Sequence, residues 1–212
     1  MGLFSKIGNL LNGKKNEKME AFFNELRGEI VAAVREDAKK VLKEAGEERI
    51  YAAALVTDSD CITLFLAVNT YEKMREKDIK YLDILKNGLT EKNVEMVKSG
   101  ERSITKWVPD EWAYSDGKGS KLNEVSRMLF AKDEENSAEY AKYKDLFFET
   151  VTEAWKTLIA EKVFGEQSEE ITYFISVSDD GDKAEEIENY SASLLNSKDV
   201  YEKFLKRDDE MI

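Results

Sequence analysis

The sequence predicts an α/β chain of the α+β class, with a small, mostly antiparallel sheet and long flanking helices. Two long segments carry apolar residues at steps of three and four, which is the period of an amphipathic helix. Three short segments are rich in β-branched and aromatic residues, as strands are. Because helical segments outnumber strands, the predicted order of elements is α-ββ-α-α-α-β-α-α.

The first long helix is predicted over residues 16–45, where Asn16 is suited to cap its start and Gly46 to end it. Its apolar stripe consists of Met19, Phe22, Phe23, Leu26, Ile30, Val34, Val41 and Leu42. The second long helix is predicted over residues 137–163 and ends before Gly165. Its stripe consists of Tyr140, Tyr143, Phe147, Val151, Trp155, Leu158 and Lys162.

Residues 49–57 and 61–68 are predicted to be two strands, joined into a hairpin by the short polar linker 58–60. Both strands are apolar nearly throughout, which indicates a sheet that is covered on both faces. A third strand is predicted over residues 171–177. The shorter helices are predicted over residues 71–86, 91–98, 120–131, 182–195 and 198–207.

The domain organisation is predicted to be an N-terminal arm of residues 1–15 and a single globular α/β domain of residues 16–212. The arm has apolar residues at helical spacing together with Lys6, Lys14 and Lys15, a pattern that permits weak peripheral contact with a membrane surface. A flexible arm or one docked on the core is the more common reading of such a segment. No apolar run approaches the ~20 residues of a membrane span, so integral membrane association is not expected.

Charge and cysteine content restrict the partners and the location. The chain has 44 acidic and 32 basic residues, a net charge of −12 that opposes nucleic-acid binding and favours basic protein partners. Cys61 is the only cysteine, so no internal disulfide forms, and the expected location is cytoplasmic. Acidity can equally serve only to keep the protein in solution.

Histidine, the residue type that most often takes part in catalysis, is missing from the sequence, although carboxylates, lysines and tyrosines are present. The chain has no histidine, which removes the most common general base, zinc ligand and nucleophile partner. Neither of the glycine-rich phosphate-binding motifs occurs. The stretch 178–182 resembles a calcium loop, but alignment on Gly181 puts Ser176 and Ile187 at the first and last ligand positions. We therefore expect no enzymatic activity, no metal and no cofactor.

Two features are candidates for partner binding. The aromatic segment 107–114 contains Trp112 and Tyr114, which are candidate anchors, although such aromatics more often pack a loop onto the core. Residues 166–212 hold 14 acidic and 5 basic residues, so −9 of the net charge lies there. A solvated surface is the ordinary origin of such charge, and docking of a basic partner is the functional interpretation. The candidate carboxylates are Asp179, Asp180, Asp182, Glu185, Glu186 and Glu188.

Three segments occur in an order that resembles one bacterial family. They are the hairpin IYAAALVTD…CITLFLAVNT, the segment KWVPDEWAY followed by LNEVSRML, and the closing segments ITYFISVSDD and EEIENYSASLLN. Over roughly residues 20–205 the chain resembles the family known as domain of unknown function 4303. The family has no established chemistry. The resemblance implies a setting like that of immunity proteins, which are encoded beside secreted interbacterial toxins and commonly cover the toxin's active site.

The sequence thus predicts a non-enzymatic protein-binding protein. The specific prediction is an immunity protein whose partner is a cognate toxin with a basic active-site surface. The alternative is a small-molecule-binding or regulatory module, with a pocket lined by the segment from Trp107 to Tyr114.

Overall fold

A computed structural model describes residues 3–85, 87–115, 119–132, 139–179 and 181–212. The helices in these ranges are α1 Leu3–Ala45, α2 Tyr71–Leu85, α3 Glu91–Ser99, α4 Leu122–Lys132, α5 Tyr140–Ala160, α6 Gly181–Leu195 and α7 Lys198–Phe204. The strands are β1 Ile50–Thr57, β2 Phe65–Thr70, β3 Tyr114–Ser115 and β4 Thr172–Val177. Short 3₁₀ turns lie at Pro109–Glu111, Glu166–Glu169 and Arg207–Glu210.

The four described strands form one mixed sheet in the order β3-β2-β1-β4. β2 pairs antiparallel with both β1 and β3, as the predicted hairpin requires. β4 pairs parallel with β1, with Leu55 opposite Ile175. The α+β class and the mostly antiparallel sheet are therefore confirmed, since two of the three described pairings are antiparallel, and the parallel pairing of β1 with β4 makes the sheet a mixed one. A parallel pair needs a long crossover, which the helical segment between β1 and β4 supplies.

The central strand β1 is buried along its whole length and separates two apolar clusters. Ala53 and Leu55 face the larger cluster, which α1, α4 and α5 cover. Ala52, Ala54 and Val56 face the smaller one on the opposite side of the sheet. The near-continuous apolar sequence of β1 follows from this position, because both of its faces are covered.

The helix α1 is longer than predicted, because it begins at Leu3 and passes through Asn16 without interruption. Gly8 and Gly13 each disfavour a helix by about 1 kcal/mol but do not stop it. Most of the predicted stripe is buried, whereas Leu42 is 36% exposed. At the other end, Gly46 adopts a φ of +58° and its N–H donates to the carbonyl of Leu42 (3.1 Å).

The β1–β2 connection is longer than predicted, because Asp58 organises the following residues into a loop. Its carboxylate accepts from the N–H groups of Asp60 (3.0 Å) and Ile62 (3.2 Å) and from the hydroxyl of Thr63. Cys61 takes a positive φ of +58°, and its burial raises the pKa of the thiol to about 12. The second strand therefore starts at Phe65 instead of residue 61.

The start of α4 is tied to α1 through the buried carboxylate of Asp37. It accepts from the hydroxyl of Ser120 (2.7 Å), the N–H of Lys121 (2.9 Å) and the ammonium of Lys40 (2.9 Å). Burial opposes ionisation of Asp37, but these donors outweigh burial and hold its pKa below the ordinary value of 3.8.

We expect Asp37→Asn to lower the free energy of unfolding by about 1.5–3 kcal/mol at pH 7, since hydrogen bonds to a charged acceptor are lost. Because the pKa of Asp37 is lowered in the folded state, its ionised carboxylate stabilises the fold above pH 3.8. This stabilisation is lost as the pH falls through the folded-state pKa. The difference between the two proteins should therefore shrink at low pH. Urea unfolding at pH 7 and at low pH measures this, and a difference that grew on acidification would contradict it.

Candidate functional site

A groove of about 650 Å³ runs between α5 and α6. Its apolar lining comes from Phe148 on α5, Ile175 on β4 and three residues of α6, which are Ile187, Tyr190 and Leu194. The three α6 residues are spaced at i, i+3 and i+7, so they share one face of the helix. Tyr190 is 68% exposed and Leu194 is 41% exposed, so this apolar face is open to solvent. We call this surface the α5–α6 groove.

The α5–α6 groove is rimmed by carboxylates. Asp145, Glu149 and Glu153 follow one another at steps of four along α5, and Glu186 lies on the α6 side. Like charges four residues apart each destabilise a helix by about 0.2–0.5 kcal/mol. Lys156 compensates Glu153 at 2.8 Å, while Asp145, Glu149 and Glu186 form no ion pair with any described residue. The groove therefore combines apolar surface with uncompensated negative charge.

A second depression, which we call the aromatic cleft, has a volume of about 540 Å³ and lies where β1 and β4 begin. Tyr51, Tyr71, Trp107 and Phe204 supply its rings. Trp107 packs edge-on against Tyr51 (5.7 Å between centroids) and against Phe204 (5.3 Å). Its other lining residues are Arg49, Ile50, Lys106, Glu169, Glu170, Thr172, Val200, Lys203 and Glu210.

The side chain of Lys106 occupies part of the aromatic cleft. Its ammonium lies 5.9 Å, 5.8 Å and 5.4 Å from the ring centroids of Tyr51, Tyr71 and Trp107. Glu210 pairs with this ammonium at 3.0 Å and also accepts from the indole N–H of Trp107 at 2.8 Å. Rings stabilise a cation at such distances through their quadrupoles. The cation that these rings hold is therefore the ammonium group of Lys106 itself.

Two buried side chains donate hydrogen bonds to the backbone of Lys106. Its carbonyl accepts from the hydroxyl of Tyr51 at 2.6 Å and from the indole N–H of Trp112 at 3.0 Å. The hydroxyl of Tyr51 accepts in turn from the amide of Asn69 at 3.0 Å. Burial raises the pKa of Tyr51 far above its ordinary range, so this tyrosine is a neutral structural donor.

Neither of the two aromatic residues predicted as anchors is freely exposed. Trp112 is 2% exposed and packs edge-on against Phe174 (5.8 Å), so it supports the cleft from beneath and offers no contact area to a partner. Tyr114 is half-buried and donates to the carboxylate of Glu48 at 2.8 Å. Burial and this carboxylate raise the pKa of Tyr114 to about 12. Trp107 of the same segment lines the aromatic cleft.

The acidic residues predicted as one face are distributed over different environments. Glu185 and Glu186 are exposed on α6, and Glu186 lines the α5–α6 groove. Asp179 instead accepts from the N–H (2.6 Å) and hydroxyl (3.0 Å) of Ser59, so it ties the loops that follow β1 and β4. Asp180 lies outside the described residues, as does the side chain of Asp182.

Glu188 is turned inward and has a structural partner. It accepts from the hydroxyl of Ser176 on β4 at 2.6 Å and pairs with Arg207 at 3.2 Å. Burial raises the pKa of Glu188, and Ser176 and Arg207 act in the opposite direction. A carboxylate engaged in this way is not available at the surface, which corrects the predicted single acidic face.

The carboxylates of α5 that rim the groove were not among the site residues predicted from the sequence. Their signal was the spacing of Asp145, Glu149 and Glu153 on a helix whose other face is the predicted apolar stripe. Within the described ranges, no group of three or more acidic or cysteine side chains is placed to hold a metal ion. Nor does any described helix combine the length and apolar character needed to cross a bilayer.

The chain is thus a mixed-sheet α+β protein with an acid-rimmed groove on one helical side and an aromatic cleft at one end of the sheet. Comparison with protein families gives a match over residues 30–197 to the family described as Domain of unknown function (DUF4303). The chain belongs to this family, since the match covers most of its length. No curated protein and no solved structure matched the chain.

Proposed function

We propose that this protein binds another protein, and specifically that it is an immunity protein which neutralises a cognate secreted toxin by covering the toxin's active site. The observation that supports binding is the α5–α6 groove, whose open apolar face is rimmed by uncompensated carboxylates. The assignment to immunity proteins comes from the setting that the family resemblance implies.

The proposed mechanism is steric occlusion assisted by charge. The net charge of −12 creates a field that speeds encounter with a basic surface. A toxin that acts on nucleic acid has such a surface in its substrate channel. Apolar contacts at Tyr190 and Leu194 then supply the short-range attraction that holds the complex together. Occupation of the channel excludes the substrate.

The proposal predicts a secreted toxin encoded beside the gene of this protein, and the experiment is co-expression of this protein with the C-terminal domain of that toxin. The proposal predicts that growth is restored and that the two purified proteins form a stable complex. A toxin that stays active in the presence of excess protein, with no complex formed, would refute the immunity function.

The aromatic cleft favours a second candidate function, which is binding of a small molecule. Four rings line the cleft together with charged residues of both signs, a combination that suits a planar ligand that carries charge. The charged residues are Arg49, Lys106, Lys203, Glu169, Glu170 and Glu210. This is the alternative predicted for the segment that contains Trp107.

If the cleft binds a small molecule, a screen of nucleotides and metabolites should contain one that raises the melting temperature by several degrees at saturation. Trp107→Ala should remove that shift, because the ring that would stack on the ligand is lost. Phe130→Ala is the matched control, since Phe130 is 70% exposed and does not line the cleft. A shift that persisted in Trp107→Ala would place the ligand elsewhere.

A further inference from the structure

We propose that the α5–α6 groove accommodates a basic amphipathic α-helix of the partner protein, aligned along α5. This inference rests on the proposed protein-binding function and deepens it, because it names the partner element and its residue pattern. It is supported by the spacing of the rim charges, by the apolar lining, and by the absence of an ion pair with any described residue at three of the four rim carboxylates.

The spacing of the carboxylates is that of a helix. Asp145, Glu149 and Glu153 repeat every four residues, so neighbouring carboxylates are separated by about 6 Å along the axis of α5. Lysine or arginine residues at steps of four on an antiparallel or parallel helix have the same separation. A strand spaces its same-face side chains about 6.6 Å apart, which is close to this separation, so the apolar lining decides between the two.

The apolar lining favours an amphipathic helix as the occupant of the groove over a partner surface that is only basic. Ile187, Tyr190 and Leu194 present one continuous row on α6, facing Phe148 across the groove. A helix laid between α5 and α6 would place its apolar stripe on this row and its basic residues on the α5 rim. This is the helix-in-groove mode, in which anchors recur at i, i+3 or i+4 and i+7.

The charge pattern of the groove determines the sign of the charge that the partner helix must carry. Three of the four rim carboxylates have no cationic partner among the described residues, and the fourth is held by Lys156. If an acidic or neutral helix bound here, the rim carboxylates would remain uncompensated and would lie next to the backbone of that helix. A basic helix would relieve the repulsion along α5 as it binds.

The first test uses a designed peptide of about 18 residues, with lysines at steps of four on one side and leucines on the other. The comparison peptide has the same composition in an order that has no amphipathic face. We expect the full-length protein to bind the first peptide and to raise its helicity in circular dichroism, with affinity at least about tenfold above that for the second. Equal affinity for the two peptides would overturn the proposal, because charge alone would then explain binding.

The matched variants are two triple charge reversals with the same change in net charge. Asp145, Glu149 and Glu153 are replaced by Lys in the groove variant, and the exposed Glu25, Glu29 and Glu44 of α1 are replaced by Lys in the control. At about 0.1 M salt the groove variant should bind the peptide about 100-fold more weakly, whereas the control should lose no more than about threefold. Equal losses in the two variants would overturn the proposal.

The same variants separate this inference from the immunity function when the toxin domain replaces the peptide. If the unaltered protein binds the toxin and the groove variant binds it equally well, the groove assignment fails while the immunity function stands. If the unaltered protein binds the designed peptide but not the toxin, the immunity function fails and the groove assignment stands. A further outcome would also overturn the groove assignment. The protein would associate with itself, and this association would be lost both when residues 1–15 are deleted and in the groove variant. The occupant of the groove would then be a second copy of this chain.

Discussion

Replacing Arg207 by Ala is expected to lower the free energy of unfolding by about 3–5 kcal/mol, the cost of leaving a buried charge without its partner. Arg207 is 7% exposed and donates to Glu188 (3.2 Å) and Asn189 (2.6 Å) of α6. Its guanidinium also lies 4.3 Å from the ring centroid of Phe204. One side chain thus ties the C-terminal turn to α6 and, through Glu188, to Ser176 of β4. Equilibrium urea unfolding measures the loss.

The control removes both charges. The double variant Arg207→Met with Glu188→Gln leaves no buried ion, so it should be more stable than Arg207→Ala alone. A loss below about 1 kcal/mol for Arg207→Ala would show that Glu188 is adequately solvated without its partner. Glu188 would then not have a structural role, and its carboxylate would belong to the acidic surface.

Replacing Trp155 by Ala is expected to lower the free energy of unfolding by about 3–5 kcal/mol, because a cavity forms in the larger core cluster. Trp155 is fully buried on α5 and packs edge-on against Tyr173 of β4, with the ring centroids 5.2 Å apart. Its indole N–H donates to the carbonyl of Phe174 at 3.3 Å. Since α5 carries one wall of the groove, the same substitution should also weaken partner binding.

Two comparison variants make the effect of Trp155→Ala specific. Trp155→Phe keeps most of the ring volume, so it should lose clearly less stability than the alanine variant. Tyr190→Ala removes a mostly exposed ring from the groove and should change stability by no more than about 0.5 kcal/mol. If Trp155→Ala unfolded at the same urea concentration as the unaltered protein, the packing of α5 on β4 described here would be contradicted.

The local sequence pattern predicted most helices and strands, because the apolar residues that recur at helical or strand spacing are the ones that are buried in this chain. The stripe of α1 and the apolar run of β1 both follow directly from which side chains are covered. The parallel pairing of β1 with β4 has no local signal, since residues far apart in the chain decide it. The two-residue strand β3 and the loop built by Asp58 depend on single contacts, which composition does not show.

The candidate site was only partly predictable, for a related reason. A count of charge per segment found the acidic C-terminal region, but it did not distinguish exposed Glu186 from Glu188, whose direction depends on Arg207. Charge counting did not identify Asp145 and Glu149, because α5 contains as many lysines as acidic residues and its net charge is zero. The role of Trp107 as a cleft-lining residue and of Trp112 as its support depends on the fold around them.

The most direct test of the central claim uses the C-terminal domain of the secreted toxin that the proposal expects to be encoded next to this gene. The dissociation constant for that domain is measured against salt for the unaltered protein and for the variant with Asp145, Glu149 and Glu153 replaced by Lys. A partner recognised through the acidic groove should bind the unaltered protein tightly at about 0.1 M salt, less tightly as salt is raised, and the variant only weakly throughout. If the unaltered protein shows no measurable affinity for that toxin at low salt, the claim that this protein acts by binding and covering it is contradicted.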